Sequence, residues 1–295
     1  MSNTQALRVR KHTGANAFTL LELLVVIGII ALLASLLLSA LARAKSTAHA
    51  VKCKSNLRQI GGALSAYADD YTAYPVMYET ELWRNMASWH NGAILPYLGY
   101  GGGRIPSNTE QIIAKPIEAQ GRPAKGQTVL ECPGYTQIKG VYAAGFNAYS
   151  YNGYGVAEPG PTMVEKGLGL GGYIDGKANM MPPPPILPIR QSRVVSPSGM
   201  IAVTDSPIVA LQPDSSRPQG HIVTHWSFFR RAAKANPEWE TKFLVKRHRI
   251  PVNAVFCDGH VESFKSKELT ATDDAALSRW NNTAQAERGT IEDLR

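Results

Sequence analysis

Acidic residues are absent from most of the N-terminal region of the chain. Residues 1–17 and 43–58 contain no Asp or Glu, and residues 18–42 between them carry a single charge, Glu22. The formal net charge of +8 therefore comes mainly from two basic blocks that flank an apolar run. This placement is typical of charges beside a membrane segment and not of a nucleic-acid-binding face. We predict no nucleic-acid partner.

Cysteine is scarce, and the sequence lacks common catalytic motifs. The three cysteines form no C-x-x-C pair, which excludes a cysteine-rich zinc site of the usual kind. There is no nucleophile elbow, phosphate loop or H-E-x-x-H sequence. Residues 167–172 match G-x-G-x-x-G, but they lie in a segment rich in Gly and Pro, without the strand and helix that a dinucleotide site needs. We predict no catalytic residue, no metal site and no cofactor.

Proline is missing between Phe18 and Tyr74, where a long helix is expected. Residues 18–42 read FTLLELLVVIGIIALLASLLLSALA. A helix of this length is about 37 Å long and spans the roughly 30 Å hydrocarbon core of a bilayer. A cleaved signal peptide is the alternative, and Ala40-Leu41-Ala42 weakly fits its cleavage pattern. The length of the run and the position of Glu22 favour a retained anchor.

The helix is predicted to continue beyond the apolar run and to meet a head domain. Apolar residues recur at three- and four-residue steps over residues 43–74, and Tyr74-Pro75 marks the end of this amphipathic segment. Residues 75–295 form the predicted head, with strand-like runs separated by Gly and Pro. These runs are Thr128–Cys132, Val141–Ala148, Met200–Thr204, Val252–Phe256 and His260–Phe264.

The start of the apolar run resembles the processing site of type IV prepilins and type II secretion pseudopilins. Residues 17–22 read AFTLLE and follow a short basic leader. In that family a membrane peptidase cuts before the Phe and methylates the new amine, which implies a cut between Ala17 and Phe18. The family usually has Gly at the position of Ala17 and often has Pro at the position of Ser39. The resemblance also implies that Glu22 pairs with the Phe18 amine of a neighbouring subunit.

A second resemblance lies near the C-terminus. His248, nine intervening residues and Asp258-Gly259 resemble the H-x9-DG element of a large subgroup of prepilin-like proteins. Residues 53–61, 131–133 and 149–152 resemble the same subgroup. Asp258-Gly259 between two alternating runs also predicts a hairpin, at 248–264, with positive φ in its turn. We interpret His248, Asp258 and Gly259 as structural residues.

Together these resemblances imply an α+β fold and a role in assembly. The expected layout is a leader (1–17), a transmembrane and filament-core helix (18–42), its amphipathic continuation (43–74) and a head with an antiparallel sheet (75–295). The implied partners are a prepilin peptidase, other pilin or pseudopilin subunits and the bacterial inner membrane, with the leader cytoplasmic and the head periplasmic. The first hypothesis for the function is a type II secretion pseudopilin, and the near alternative is a type IV pilin for adhesion or uptake.

Two further expectations concern the cysteines and histidines. Since disulfides persist outside the cytoplasm, we predict one between Cys53 and Cys132, with Cys257 free, although three pairings exist. His221, His225, His248, Asp258 and His260 invite a metal interpretation, and with it a membrane-tethered binding protein or hydrolase. Without a supporting helical motif we interpret these histidines as structural.

Overall fold

The computed structural model describes part of the chain in detail. The described residues are 19–77, 93–100, 129–135, 148–156, 167–174, 186–209, 219–220, 223–224, 226, 229–230 and 252–287. The chain divides into two compact units, Met1–Lys45 and Ser46–Arg295. Helix α1 contributes residues to both units.

Helix α1 spans Leu20–Tyr71 and includes Ser39, so the helix continues through the position at which the resemblance would have allowed a Pro. Within the first unit its serines bond to their own helix: Ser35 Oγ donates to the Leu32 carbonyl at 2.8 Å and Ser39 Oγ to the Leu36 carbonyl at 2.9 Å. These bonds satisfy the hydroxyl groups without any partner outside the helix. The apolar run is therefore free of unpaired hydroxyl donors.

Among the described residues, the second unit is built on a five-stranded sheet. Its strands are β1 (Tyr149–Asn152), β4 (Ile201–Asp205), β7 (Val223–Thr224), β8 (Val252–Phe256) and β9 (Val261–Phe264), in the order β7-β1-β4-β8-β9. All neighbours pair antiparallel except β7, which lies parallel to β1.

Two short ladders join β2 (Tyr173–Ile174) to β3 (Ile186–Leu187) and β5 (Ile208–Val209) to β6 (Gln219–Gly220). Two short helices, α2 (Ser266–Leu269) and α3 (Asp274–Ser278), follow β9. The predicted α+β layout, with a long N-terminal helix and an antiparallel sheet, is confirmed.

The later part of α1 contributes one face to the core of the second unit. Its fully buried apolar residues recur at helical spacing, as the amphipathic pattern predicted, and include Leu57, Ile60 and Leu64. They belong to the same hydrophobic cluster as the sheet residues Tyr151, Val203 and Val255. Val51, an apolar residue of the same segment, is 62% exposed and lies outside that face.

One predicted strand differs in the structure, and another lies almost entirely outside the described residues. In the run Thr128–Cys132, Val129 and Leu130 form a turn, and Glu131 and Cys132 are not in a strand. The segment is instead held to α1 by a disulfide at Cys132. For the run Val141–Ala148, residues 141–147 lie outside the described part of the chain, and the strand there begins at Tyr149.

The β8–β9 hairpin forms as predicted, but its turn is longer. Phe256 N donates to the His260 carbonyl at 2.9 Å, and Gly259 N donates to the Phe256 carbonyl at 2.9 Å, which leaves a three-residue loop. Of the two predicted turn residues only Gly259 has positive φ, at +88°. A three-residue loop needs one left-handed residue, whereas the predicted two-residue turn needs two. His248, the first residue of the predicted hairpin element, lies outside the described residues.

A glycine on α1 lets the hairpin approach the helix closely. A Cβ on Gly61 would lie 2.6 Å from Val255 Cγ2 and 3.3 Å from Gly259 Cα. The neighbouring Gly62 is exposed, and a Cβ there would meet nothing within 4 Å. The two glycines therefore differ in role, although both weaken the helix by their own backbone entropy.

We predict opposite effects for alanine at these two positions. Gly61→Ala should lower the free energy of unfolding by about 1 kcal/mol or more, because overpacking against β8 outweighs the gain in helix propensity. Gly62→Ala, the matched control, should raise it by roughly 0.5–1 kcal/mol. Denaturant unfolding of the detergent-solubilised chain, followed by tryptophan fluorescence, measures both. A stabilising Gly61→Ala would contradict the close helix–hairpin contact.

We also predict that the hairpin turn depends on the backbone freedom of Gly259. A Cβ here has open space around it, so any penalty arises from the positive φ and not from a clash. Gly259→Val should lower the free energy of unfolding by about 1 kcal/mol or more, since a β-branched residue resists this φ. Gly259→Asn should cost clearly less in the same measurement. Equal losses for Val and Asn would show that the turn does not keep this conformation.

Candidate functional site

The predicted processing site lies at the edge of the described structure. Ala17 and Phe18 are outside the described residues, and Thr19 is the first residue described. Thr19 precedes α1, whose first turn contains Glu22. Of the predicted processing site, the structure therefore shows only the arrangement of the Thr19 and Glu22 side chains.

Thr19 and Glu22 form a reciprocal cap at the start of α1. The Thr19 amide donates to Glu22 Oε2 at 2.9 Å, and the Glu22 amide donates to Thr19 Oγ1 at 3.2 Å. The Thr19 hydroxyl also donates to Glu22 Oε2 at 2.9 Å. This is the capping box of a helix N-terminus, in which side chains satisfy amides that have no helical acceptor.

The cap gives Glu22 a role within its own chain, which the sequence interpretation missed. The resemblance implies only a pairing of Glu22 with the Phe18 amine of a neighbouring subunit. The spacing T-x-x-E before an apolar run was the available signal. A carboxylate at a helix N-terminus is further stabilised by the helix dipole. The Thr19 amide and the Thr19 hydroxyl both donate to Oε2 of Glu22.

The surface beside this cap is apolar on every side. Every Leu, Ile and Val from Leu20 to Leu41 is exposed, with side chains between 45% and 82% accessible. By length and composition α1 is suited to cross a membrane. Soluble proteins rarely expose a continuous apolar surface of this size. The segment therefore requires a lipid or protein environment.

A disulfide joins α1 to the segment that contains Cys132. Cys53 and Cys132 are bonded, with Cα atoms 5.3 Å apart, and this is the pair that the sequence favoured. Cys257 is free and buried. Burial raises the pKa of the Cys257 thiol to about 12, against a smaller opposing effect of its hydrogen bond with Tyr74. Cys257 is therefore a neutral, unreactive thiol at ordinary pH.

Asn56 supports the same connection one turn after Cys53. Its amide nitrogen donates to the Glu131 carbonyl at 2.9 Å and lies 3.3 Å from the Tyr149 hydroxyl. Asn56 is fully buried, and such an amide is costly to bury without partners. The resemblance within residues 53–61 thus corresponds to one face of α1 that holds the Cys132 segment and, through Gly61, the hairpin.

The glycine-rich segment at 167–172 is part of the head core. Leu168 and Leu170 are buried, and a Cβ on Gly169 would lie 2.4 Å from the Gly153 carbonyl carbon. Tyr151 Oη donates to the Pro75 carbonyl at 3.0 Å and lies 3.2 Å from the Leu170 carbonyl oxygen. The glycines serve close backbone packing, so this match to a phosphate-binding pattern has a structural explanation.

Three buried asparagines connect strand β1, the residues after it and the glycine-rich segment to the C-terminal part of the head. Asn152 donates to the carbonyls of Ile201 and Trp280, both at 2.8 Å. Asn282 donates to the carbonyls of Gly167 and Gly169 at 2.6 and 3.0 Å, and Asn281 Oδ1 accepts from the Val156 amide at 3.0 Å. The sequence interpretation missed Asn281 and Asn282, since no local pattern marks a loop amide as buried.

The histidine cluster is represented in the described structure by His260. Its Nδ1 lies 2.5 Å from Asp258 Oδ1, its Nε2 lies 3.5 Å from Glu262 Oε1, and its ring stacks on Phe256 with centroids 4.3 Å apart. His221, His225 and His248 lie outside the described residues. Within the described part of the chain, no group of three His, Cys, Asp or Glu side chains is placed to hold a metal ion.

Two pairs of adjacent aspartates, Asp69-Asp70 and Asp273-Asp274, lie at helix ends. Asp70 Oδ2 accepts from the Tyr97 hydroxyl at 2.6 Å, and Asp69 Oδ1 accepts from the Gln191 amide at 3.0 Å, near the C-terminal end of α1. Asp273 caps α3 by accepting from the Ala276 amide at 2.9 Å. Asp69, Asp70 and Asp273 therefore have structural partners at the ends of α1 and α3.

One comparison with known proteins gives a match. Residues 42–164, less than half of the chain, are similar to a family model described as "Protein of unknown function (DUF1559)". No curated protein and no solved structure matches the chain. The matched region includes the later part of α1 with Cys53 and Asn56, the segment with Cys132, and strand β1. The part of the chain that builds the α1 face and its disulfide is therefore the part that is similar to this family.

Proposed function

We propose that this chain is a structural subunit of a type II secretion-type pseudopilus. In this proposal a prepilin peptidase removes residues 1–17, and the mature chain is held in the bacterial inner membrane by α1 with its head in the periplasm. Other pilin or pseudopilin subunits are its partners, and it catalyses no reaction. Nucleic acid has no part in this function.

The observation that carries the proposal is the apolar surface of α1. Its side chains from Leu20 to Leu41 are exposed on all sides of the helix. A simple anchor needs only lipid around it, but the AFTLLE sequence before this surface resembles a site that prepares a chain for polymerisation. Assembly would move the same surface from lipid into a bundle of helices, where apolar packing continues to shield it.

The cap at Thr19 and Glu22 supports the same proposal in a second way. It holds the only charge of the apolar run at the first turn of α1, next to the predicted new N-terminus at Phe18. The free-energy cost of inserting a charge at this end of the helix is lower than at the centre of a bilayer. The charge of Glu22 also stays available for a cationic partner. An amine from a neighbouring subunit is a partner of the required charge.

We predict cleavage between Ala17 and Phe18 and methylation of the new amine. Peptide mass analysis of chain extracted from membranes of cells that express a prepilin peptidase measures both. The expected N-terminal peptide begins with methylated Phe18. A mature chain that begins after Ala42, or one that keeps the leader, would contradict the proposed function.

We predict that the charge of Glu22, and not only its cap, is needed for assembly. Glu22→Gln keeps a residue that suits the capping box but removes the negative charge, whereas Glu22→Ala removes both. Both variants should insert into membranes and should reduce crosslinking between copies at least fivefold, because the neighbour's amine is left without a partner. Amine-reactive crosslinking of intact membranes measures this. Wild-type crosslinking in Glu22→Gln would show that capping is the whole role of Glu22.

A further inference from the structure

Charges of opposite sign are separated along the part of α1 that belongs to the second unit. Residues 46–68 contain no Asp or Glu, and two of their basic residues, Lys52 and Arg58, are exposed. The last turn of the helix has the opposite sign. Asp69 and Asp70 are exposed there, and this turn contains no basic residue. The exposed surface of the helix therefore has a basic part followed by an acidic end.

The acidic end lies where an isolated helix disfavours it. A carboxylate near a helix C-terminus faces the negative end of the helix dipole. Asp69 accepts its hydrogen bond from the amide of Gln191, and Asp70 accepts its bond from the hydroxyl of Tyr97. Both donors are neutral, so these bonds leave the negative charge in place. A local preference that is broken in this way is expected at a functional surface, and a basic surface has the matching charge.

Parallel copies of α1 would meet these charges differently according to their offset. Without an offset along the helix axis, acid faces acid and base faces base, which disfavours the contact. At a rise of about 1.5 Å per residue, Arg58 and Lys52 precede Asp70 by roughly 18 and 27 Å. An offset in this range places the acidic end of one copy beside the basic part of another. The charge pattern therefore favours staggered copies over a flush bundle.

The charges also occupy two sides of the helix. Each residue advances by about 100° around the axis, so Lys52 and Asp70 lie on one side, and Arg58 and Asp69 on a second side roughly 100–120° away. A contact that repeats head-to-tail between copies needs complementary groups on different sides of the chain. Arg58 on one side and Asp70 on the other meet this requirement.

We propose that Asp69 and Asp70 of one copy contact Lys52 and Arg58 of a neighbouring copy, displaced along α1 by about 18–27 Å. The inference rests on the proposed function, because it needs parallel copies, and it adds a contact outside the apolar run. Apolar burial is non-directional and does not select one offset between two helices. Charge complementarity supplies that selection.

The test measures filaments sheared from cells that express the full chain with a prepilin peptidase. The variant Lys52→Glu, Arg58→Glu should reduce the sedimented filaments at least about fivefold, because acid then faces acid. Adding Asp69→Lys and Asp70→Lys to the same chain recreates the pairs with reversed sign. This chain should recover filaments to within about twofold of the wild type.

A matched control reverses two charges elsewhere in the second unit. Lys265 and Lys267 are exposed and lie at the start of α2. The variant Lys265→Glu, Lys267→Glu has the same net charge as the first variant and should leave the amount of filament unchanged.

A second measurement reports the offset directly. Copies with Arg58→Cys and copies with Asp70→Cys are expressed together and treated with a mild thiol oxidant. Mixed disulfide dimers should exceed dimers of either variant with itself by several-fold. The native cysteines do not interfere, because Cys53 and Cys132 are bonded to each other and Cys257 is buried.

Three results would refute this contact while leaving the apolar filament core untouched. They are undiminished filaments in the first variant, no recovery in a correctly folded chain with all four substitutions, and disulfide dimers mainly between identical positions. Absence of filaments from the wild type would refute the contact together with the proposed function.

Discussion

The exposed apolar surface of α1 has to be removed from water, and the rest of the structure is compatible with two ways of doing so. The side chains from Leu20 to Leu41 cover the helix on every side, so no soluble fold of this chain could bury them by packing one face. Lipid can surround such a helix, and so can a bundle of identical helices. A chain that exchanges one environment for the other keeps the surface dry throughout. Because both environments are apolar, the preference between them depends on polar groups at the helix ends.

Those polar groups lie where such an exchange needs them. At one end, Thr19 and Glu22 close the helix with a reciprocal cap that holds the single negative charge. At the other, Arg43 and Lys45 follow the last apolar residues and remain exposed. Within the second unit, the Cys53–Cys132 disulfide and the contact of Gly61 with Val255 attach α1 to the head.

The sequence predicted those features that depend on local pattern. The apolar run, the later face of α1 and the β8–β9 hairpin follow from periodicity and turn chemistry, and all three appear in the structure. The run Thr128–Cys132 is predicted as a strand, but Val129 and Leu130 form a turn, and the disulfide and the bond from Asn56 hold the segment to α1. Asn282 was missed because its partners are Gly167 and Gly169, and Asn281 because its partner is Val156, all of them more than a hundred residues away. Long-range contacts of this kind leave no mark in a local pattern.

The central claim is that the apolar part of α1 forms the core of a filament. Electron cryomicroscopy of material sheared from cells that express the full chain with a prepilin peptidase tests it most directly. The account predicts helical filaments in which residues 20–41 of neighbouring copies pack around the filament axis and the heads lie outside. A processed chain that remains as single copies in the membrane fraction, or filaments held together by the heads alone, would contradict it.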